Sequence, residues 1–193
     1  MTIQHPVQQR ADITAAEFLR FLDGRPEGER WQLIDGESIQ MMTPPSIRHQ
    51  KIASELQQLM NAVLGTARPD FVAVHEMGLA VPGHDDFRPI ADLAVIPVAL
   101  DDGYFANEFI VAVEIMSPSN TRPSIERKRL RYVEAPSCLH VLVIAQDSVQ
   151  AELWSRQDGW QRKTLASPDS MIEMPEIGFS CRLGALYRNT ALR

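Results

Sequence analysis

With 193 residues, 45% of them hydrophobic and 23% charged, the chain has apolar material for one cored domain and too much of it for a disordered one. A net charge of −6 excludes a global field that attracts nucleic acid, so any such contact has to come from a local basic patch. Two cysteines, Cys138 and Cys181, with no C-x-x-C spacing, give neither a zinc knuckle nor a disulfide framework. The polar start of the chain and the lack of an apolar run of about 18 residues predict no signal peptide, no membrane span and a cytoplasmic location.

Residues 1–11 are expected to form a flexible arm and residues 12–193 a single domain. Thr14 followed by Glu17 has the spacing of a capping box, which predicts a helix to about Leu22, broken by Asp23-Gly24-Arg25-Pro26. Trp31–Ile34 and Ser38–Met41 flank Asp35-Gly36, a hairpin signal, and Thr43-Pro44-Pro45 ends the hairpin. From Ser46, apolar residues recur at Ile52, Leu56, Leu59, Met60, Val63 and Leu64. That periodicity predicts an amphipathic helix with Gly65 as its C-cap.

Strands are expected at Phe71–Val74, at Leu79–Val81, around Asp92 and around Glu114. His75, Glu76 and His84 read as loop residues. Ser117-Pro118-Ser119 closes the Glu114 strand, and a helix is expected over Ser124–Glu134. Leu139–Ala145 reads as a buried strand, and Gln150–Ser155 pairs with Trp160–Leu165 across Asp158-Gly159. Met171–Tyr187 reads as a strand and a short helical turn. Trp31, Trp154 and Trp160 fall in hairpins and read as packing residues. The order of elements predicts a mixed α/β fold around one sheet. No G-x-G-x-x-G or Walker loop is present, so neither a dinucleotide nor a P-loop nucleotide site is indicated.

Two carboxylates carry the functional signal. Asp92 sits in Ile90-Ala-Asp-Leu-Ala-Val-Ile96 and Glu114 in Phe109-Ile-Val-Ala-Val-Glu-Ile-Met116. A carboxylate buried in an apolar strand needs a partner. Strand alternation puts Asp92 with Ala94 and Ile96, and Glu114 with Ala112 and Met116. If the strands are neighbours the two acids meet, and oxygen ligands completed by water suit Mg²⁺ or Mn²⁺. The structural alternative is an Asp capping a turn and a Glu in an ion pair. Lys128, one turn into the following helix, is a third candidate: it either reaches the site or is a solvated member of the basic run Arg122, Arg127, Lys128, Arg129, Arg131. That run is the candidate contact to a nucleic-acid backbone. His49, Glu55 and Gln32 are weaker candidates, each with a plain structural reading as a boundary histidine, a solvated acid and a neutral lining residue.

The segment Phe109-Ile-Val-Ala-Val-Glu-Ile-Met-Ser-Pro-Ser-Asn-Thr, with Lys128 and Tyr132 downstream, resembles the Uma family of restriction-endonuclease-like proteins within the PD-(D/E)XK superfamily. Trp31-Gln-Leu-Ile-Asp-Gly-Glu, Pro44-Pro45 with His49, Arg88-Pro-Ile-Ala-Asp-Leu-Ala-Val and Pro136-Ser137 through Val143 are similar to further parts of that family. The resemblance implies a restriction-endonuclease-like core with flanking helices and added hairpins. It implies Asp92 and Glu114 as ligands of Mg²⁺ or Mn²⁺ and Lys128 as a catalytic lysine moved from the strand, where Met116 stands, to the next helix. It implies a metal-dependent endonuclease acting on nucleic acid, with DNA expected over RNA and a homodimer as its assembly. Ala91 stands where the family has proline, Gln32 where it has Glu, and Ser124 where it has Asp. Those losses keep a second reading open: a catalytically degenerate nuclease fold that serves as a binding or interaction module.

Overall fold

The structure, a computed structural model, describes residues 8–10, 12–41, 44–117 and 120–192. Thr43, Pro118 and Ser119, and most of the expected arm, lie outside the described residues. Within that arm Gln8–Arg10 form β1, an edge strand antiparallel to Glu37–Gln40. The segment is therefore not free along its whole length.

The local signals act as expected at the start of the chain. α1 (Ala15–Asp23) opens with the capping box: Glu17 N–H donates to Thr14 Oγ1 at 3.3 Å and Thr14 N–H to Glu17 Oε2 at 2.9 Å. The Asp35-Gly36 turn joins β2 (Trp31–Ile34) to β3 (Glu37–Gln40). Both turn residues have positive φ, 49° and 76°, the requirement of a two-residue hairpin whose twist matches its strands. α2 (Ile47–Ala67) is capped by Ser46, whose Oγ accepts from His49 N–H at 3.1 Å. Ile52, Leu56, Met60 and Leu64 form its buried stripe. Gly65 does not end this helix. Leu64 still packs in the core, so the helix continues until Arg68, whose N–H returns to Leu64.

β4 (Phe71–Gly78) runs past the expected Val74, so His75 and Glu76 belong to a strand rather than a loop. Leu79 keeps only a single bridge, to Ala106. β5 (Ile90–Pro97) and β6 (Val111–Met116) follow. α3 (Arg122–Tyr132) begins two residues before the expected Ser124, capped by Thr121 and with Pro123 in its first turn, where a missing N–H costs nothing. β7 (His140–Ala145), β8 (Ala151–Ser155) and β9 (Arg162–Leu165) complete the main sheet. The C-terminal segment is a hairpin of β10 (Met171–Met174) and β11 (Phe179–Arg182) before a 3₁₀ turn at Leu183–Tyr187.

The main sheet has six strands in the order β4-β5-β6-β7-β8-β9, and only β6 and β7 are parallel. A parallel neighbour requires a crossover, and α3 supplies it. Leu93, Val95, Val111, Val113 and Ile115 turn toward α2 and the C-terminal hairpin. Ala94, Ile96 and Ala112 turn the other way, toward Tyr132 of α3 and the two connections bearing Phe87 (β4–β5) and Phe109 (β5–β6). The result is a mixed sheet covered on both faces. Among the described residues, no helix is long and apolar enough to cross a membrane.

Candidate active site

The site grows out of a defect in the sheet. β5 and β6 pair at Val95↔Val111, Ala94↔Ala112 and Leu93↔Val113, and there the ladder stops. β5 stays with β4 as far as Ile90, and β6 stays with β7 as far as Met116. The sheet therefore divides between β5 and β6. One more step in register would set Asp92 opposite Glu114. Instead Ile115 N–H donates to Asp92 Oδ2 at 2.6 Å, so a side chain satisfies a donor that the ladder has left free.

Lys128 spans the opening. Its Nζ lies 3.1 and 3.2 Å from the two oxygens of Glu114 on β6 and donates to the Ile90 carbonyl on β5 at 2.8 Å. Tyr132, one turn further along α3, donates its hydroxyl to Glu114 Oε1 at 2.7 Å. Glu114 and Lys128 are only 1% and 6% exposed. Burial pushes the Glu114 carboxyl up to about 7, and the nearby Asp92 adds to this, while Lys128 and Tyr132 pull it back. Tyr132 is itself raised well above the usual phenol range by burial and by Glu114.

Asp92, Glu114 and Lys128, the three residues singled out from the sequence, thus share one opening. His49 joins them: its Nε2 is 3.3 Å from Asp92 Oδ2. Among the described residues its buried Nδ1 has no partner. Gln32 reaches the edge of the group, its Oε1 accepting from Ile90 N–H at 3.4 Å, a contact that a neutral amide makes as well as a carboxylate. Glu55 is elsewhere in its bonding. It pairs with Arg188 at 2.5 Å and accepts from the Asn189 side chain. The position of Ser124 is compensated: Lys128 takes its partners from the sheet rather than from an acid one turn back on α3. Tyr132 had no role in the site from sequence, although its i, i+4 spacing from Lys128 puts both on one face of a helix.

A profile of the Uma2 family, described as putative restriction endonuclease, matches residues 15–184. The chain belongs to the Uma2 family. No curated protein matches it. Among solved structures, a crystal structure of a putative nuclease belonging to DUF820 from Anabaena variabilis superposes with a TM-score of 0.73. The two share 21% identity over 91% of this chain and 97% of that one. That likeness shows that the two chains share a fold.

In this Uma2 chain the basic run does not form an open strip. Arg122 pairs with Glu152 at 2.5 Å, and Arg129 with Glu126 at 2.5 Å. Arg127 and Arg131 both approach Asp35, at 3.9 and 3.1 Å, and Arg131 also approaches Glu134. With Lys128 on Glu114, each member of the run has an acidic partner. The sequence shows the cations of α3 but not the acids that β6, β8 and the turn at Asp35 bring to them.

Proposed function

We propose that the protein is a metal-dependent nuclease that hydrolyses phosphodiester bonds of DNA. The observation that carries this reading is the divided sheet, with Asp92 and Glu114 at facing positions and Lys128 bridging Glu114 and the Ile90 carbonyl across the opening. Asp92 and Glu114 would hold the ion. Among the described residues no group of three or more His, Cys, Asp or Glu side chains forms a cage. Two carboxylates completed by water and substrate oxygens suit Mg²⁺ or Mn²⁺. Glu114 is raised chiefly by burial and further by the charge of Asp92, a situation that a cation beside both carboxylates would relieve. A divalent ion there supplies Lewis-acid stabilisation of a phosphoryl oxygen and a more acidic water.

The remaining roles belong to the chain. Lys128 Nζ would orient the attacking water and offset the charge that gathers on the phosphate. Tyr132 holds Glu114 in one rotamer, and the Ile115 amide with His49 holds Asp92. Gln32 fixes the Ile90 peptide to which Lys128 is anchored. A second reading, a nuclease fold retained for binding, is favoured by one observation: both oxygens of Glu114 are engaged by Lys128 and Tyr132. One experiment separates the two. DNA is incubated with purified wild type, Asp92→Asn, Glu114→Gln and Lys128→Met in Mg²⁺, Mn²⁺ or EDTA. Cleavage that requires the metal and is lost in all three variants supports the nuclease. Absent cleavage, with no Mn²⁺-induced rise in melting temperature, leaves the binding module.

A further inference from the structure

The face that carries α3 has a second concave feature. The start of α3 and the β8–β9 hairpin enclose a groove of about 610 Å³ lined by Arg122, Pro123, Glu126, Trp154, Trp160 and Arg162. That volume is within the range of small-ligand sites. Its charges do not cancel. Glu152 alone faces two guanidinium groups, Arg122 at 2.5 Å and Arg162 at 3.5 Å. Glu126 is engaged by Arg129, and that hydrogen bond, helped by the charges of Arg122 and Arg162, holds its carboxyl below the usual range. Arg122, Arg129 and Arg162 thus meet only Glu126 and Glu152. A local excess of positive charge survives in a chain whose net charge is −6.

The groove is also aromatic. Trp154 is buried at its base, with the Arg129 guanidinium 4.9 Å from the ring centroid. Trp160 is half-buried in the wall, with the Arg156 guanidinium 5.2 Å from its ring centroid on one side. Its backbone has φ of 61°, a left-handed conformation that a bulky side chain rarely adopts. The hairpin holds an indole where glycine would be the easy choice. The groove adjoins the site in the divided sheet. Arg122 Nη1 is 3.8 Å from the sulfur of Met116, on the strand that carries Glu114. Lys128 is about 9 Å further along the axis of α3.

We propose that this groove is a subsite for a nucleic-acid strand. Arg122 and Arg162 receive one backbone phosphate and Trp160 stacks on a base. The reading rests on the nuclease assignment above and adds to it the surface that positions the strand. Two guanidinium groups sharing one carboxylate leave one positive charge unmatched. A phosphate between them supplies the missing anion with bidentate geometry. An indole face accepts any base, so the subsite positions a strand without reading its sequence.

The test measures binding apart from cleavage. A short fluorescein-labelled oligo-dT strand is titrated with the full chain in EDTA, and anisotropy is followed together with tryptophan fluorescence. Wild type is expected to bind with quenching. Arg162→Gln and Trp160→Leu are each expected to weaken binding about tenfold, and Arg162→Gln also lowers the salt slope by about one. Arg182→Gln, the same charge change on the β10–β11 hairpin at a residue that does not line the groove, is expected to bind as wild type. Arg162 is exposed, so its variant keeps the fold. The proposal is overturned if wild type does not bind, if Arg162→Gln and Trp160→Leu bind normally, or if Arg182→Gln weakens binding as much as Arg162→Gln. Normal binding by the groove variants alongside metal-dependent cleavage sinks the subsite and leaves the nuclease standing. Weakened binding with no cleavage in any metal sinks the nuclease and leaves the groove.

Discussion

Lys128 donates to the carbonyl oxygen of Ile90 at 2.8 Å, and through that bond α3 is fastened to the strand on the far side of the opening from Glu114. The lysine therefore has a structural duty beside the chemical one proposed for it. Lys128→Met leaves the Ile90 carbonyl and the Glu114 carboxylate without their cation. Loss of one partner from a buried pair costs about 3 kcal/mol or more. Urea denaturation at pH 8 is expected to show that loss, and the double variant Lys128→Met/Glu114→Gln is expected to recover part of it. A single-variant cost no greater than that of a surface lysine rules the arrangement out.

The raised Glu114 carboxyl gives the metal-free protein a pH dependence of definite sign. Its folded value of about 7 stands above its ordinary 4.5. Between those values the folded chain binds the proton that the unfolded chain releases, so stability falls as pH rises. The contribution is complete below about 4.5 and gone above about 7. Denaturation midpoints in EDTA across that window should decline in wild type more steeply than in Glu114→Gln. Parallel curves count against a buried, raised Glu114.

His49 is expected to matter through Asp92. A group that holds a metal-ligating carboxylate typically changes metal affinity by about 10- to 100-fold when removed. His49→Ala should weaken Mn²⁺ binding by about tenfold in calorimetry, while its melting temperature without metal changes little. Wild-type affinity in this variant assigns His49 to packing alone.

Glu55 is predicted to be structural. Its partners are Arg188 and Asn189, which tie the C-terminal residues to α2. Glu55→Gln should lower stability by about 1–2 kcal/mol through a weakened charged hydrogen bond and leave cleavage per folded molecule unchanged. A large loss of turnover at intact stability would place Glu55 in the reaction.

Much of the fold is legible where the signal is local. The Thr14–Glu17 box, the Asp35-Gly36 turn and the Ile52/Leu56 stripe each set one element almost residue by residue. Gly65 misleads because a glycine can sit inside a helix whose core face continues past it. The region from Phe71 to Val81 misleads because β4 is long and its partner β5 decides where it ends. At the site, alternation groups Asp92 with Ala94 and Glu114 with Ala112, and the β5–β6 register, with Ala94 opposite Ala112, turns both acids to one face. What the sequence does not carry is the gap between their strands, which depends on where the ladder stops. His49 shows the same limit. It begins a helix on the opposite side of the sheet, and only the opening lets it reach Asp92.

The opening has a consequence for how such a chain can drift. Continuing the register would bring Ile115 opposite Ala91, yet its amide is answered by Asp92, which acts as a surrogate rung of the sheet. Lys128 answers the Ile90 carbonyl in the same way. Folding alone therefore gives both residues a role, whether or not a substrate is ever cut. The presence of Asp92 and Lys128 is thus accounted for by the backbone groups they satisfy and is not by itself a sign of cleavage. Amide exchange at Ile115 reports this directly: slow in wild type, it should quicken in Asp92→Ala, with no nucleic acid or metal in the tube.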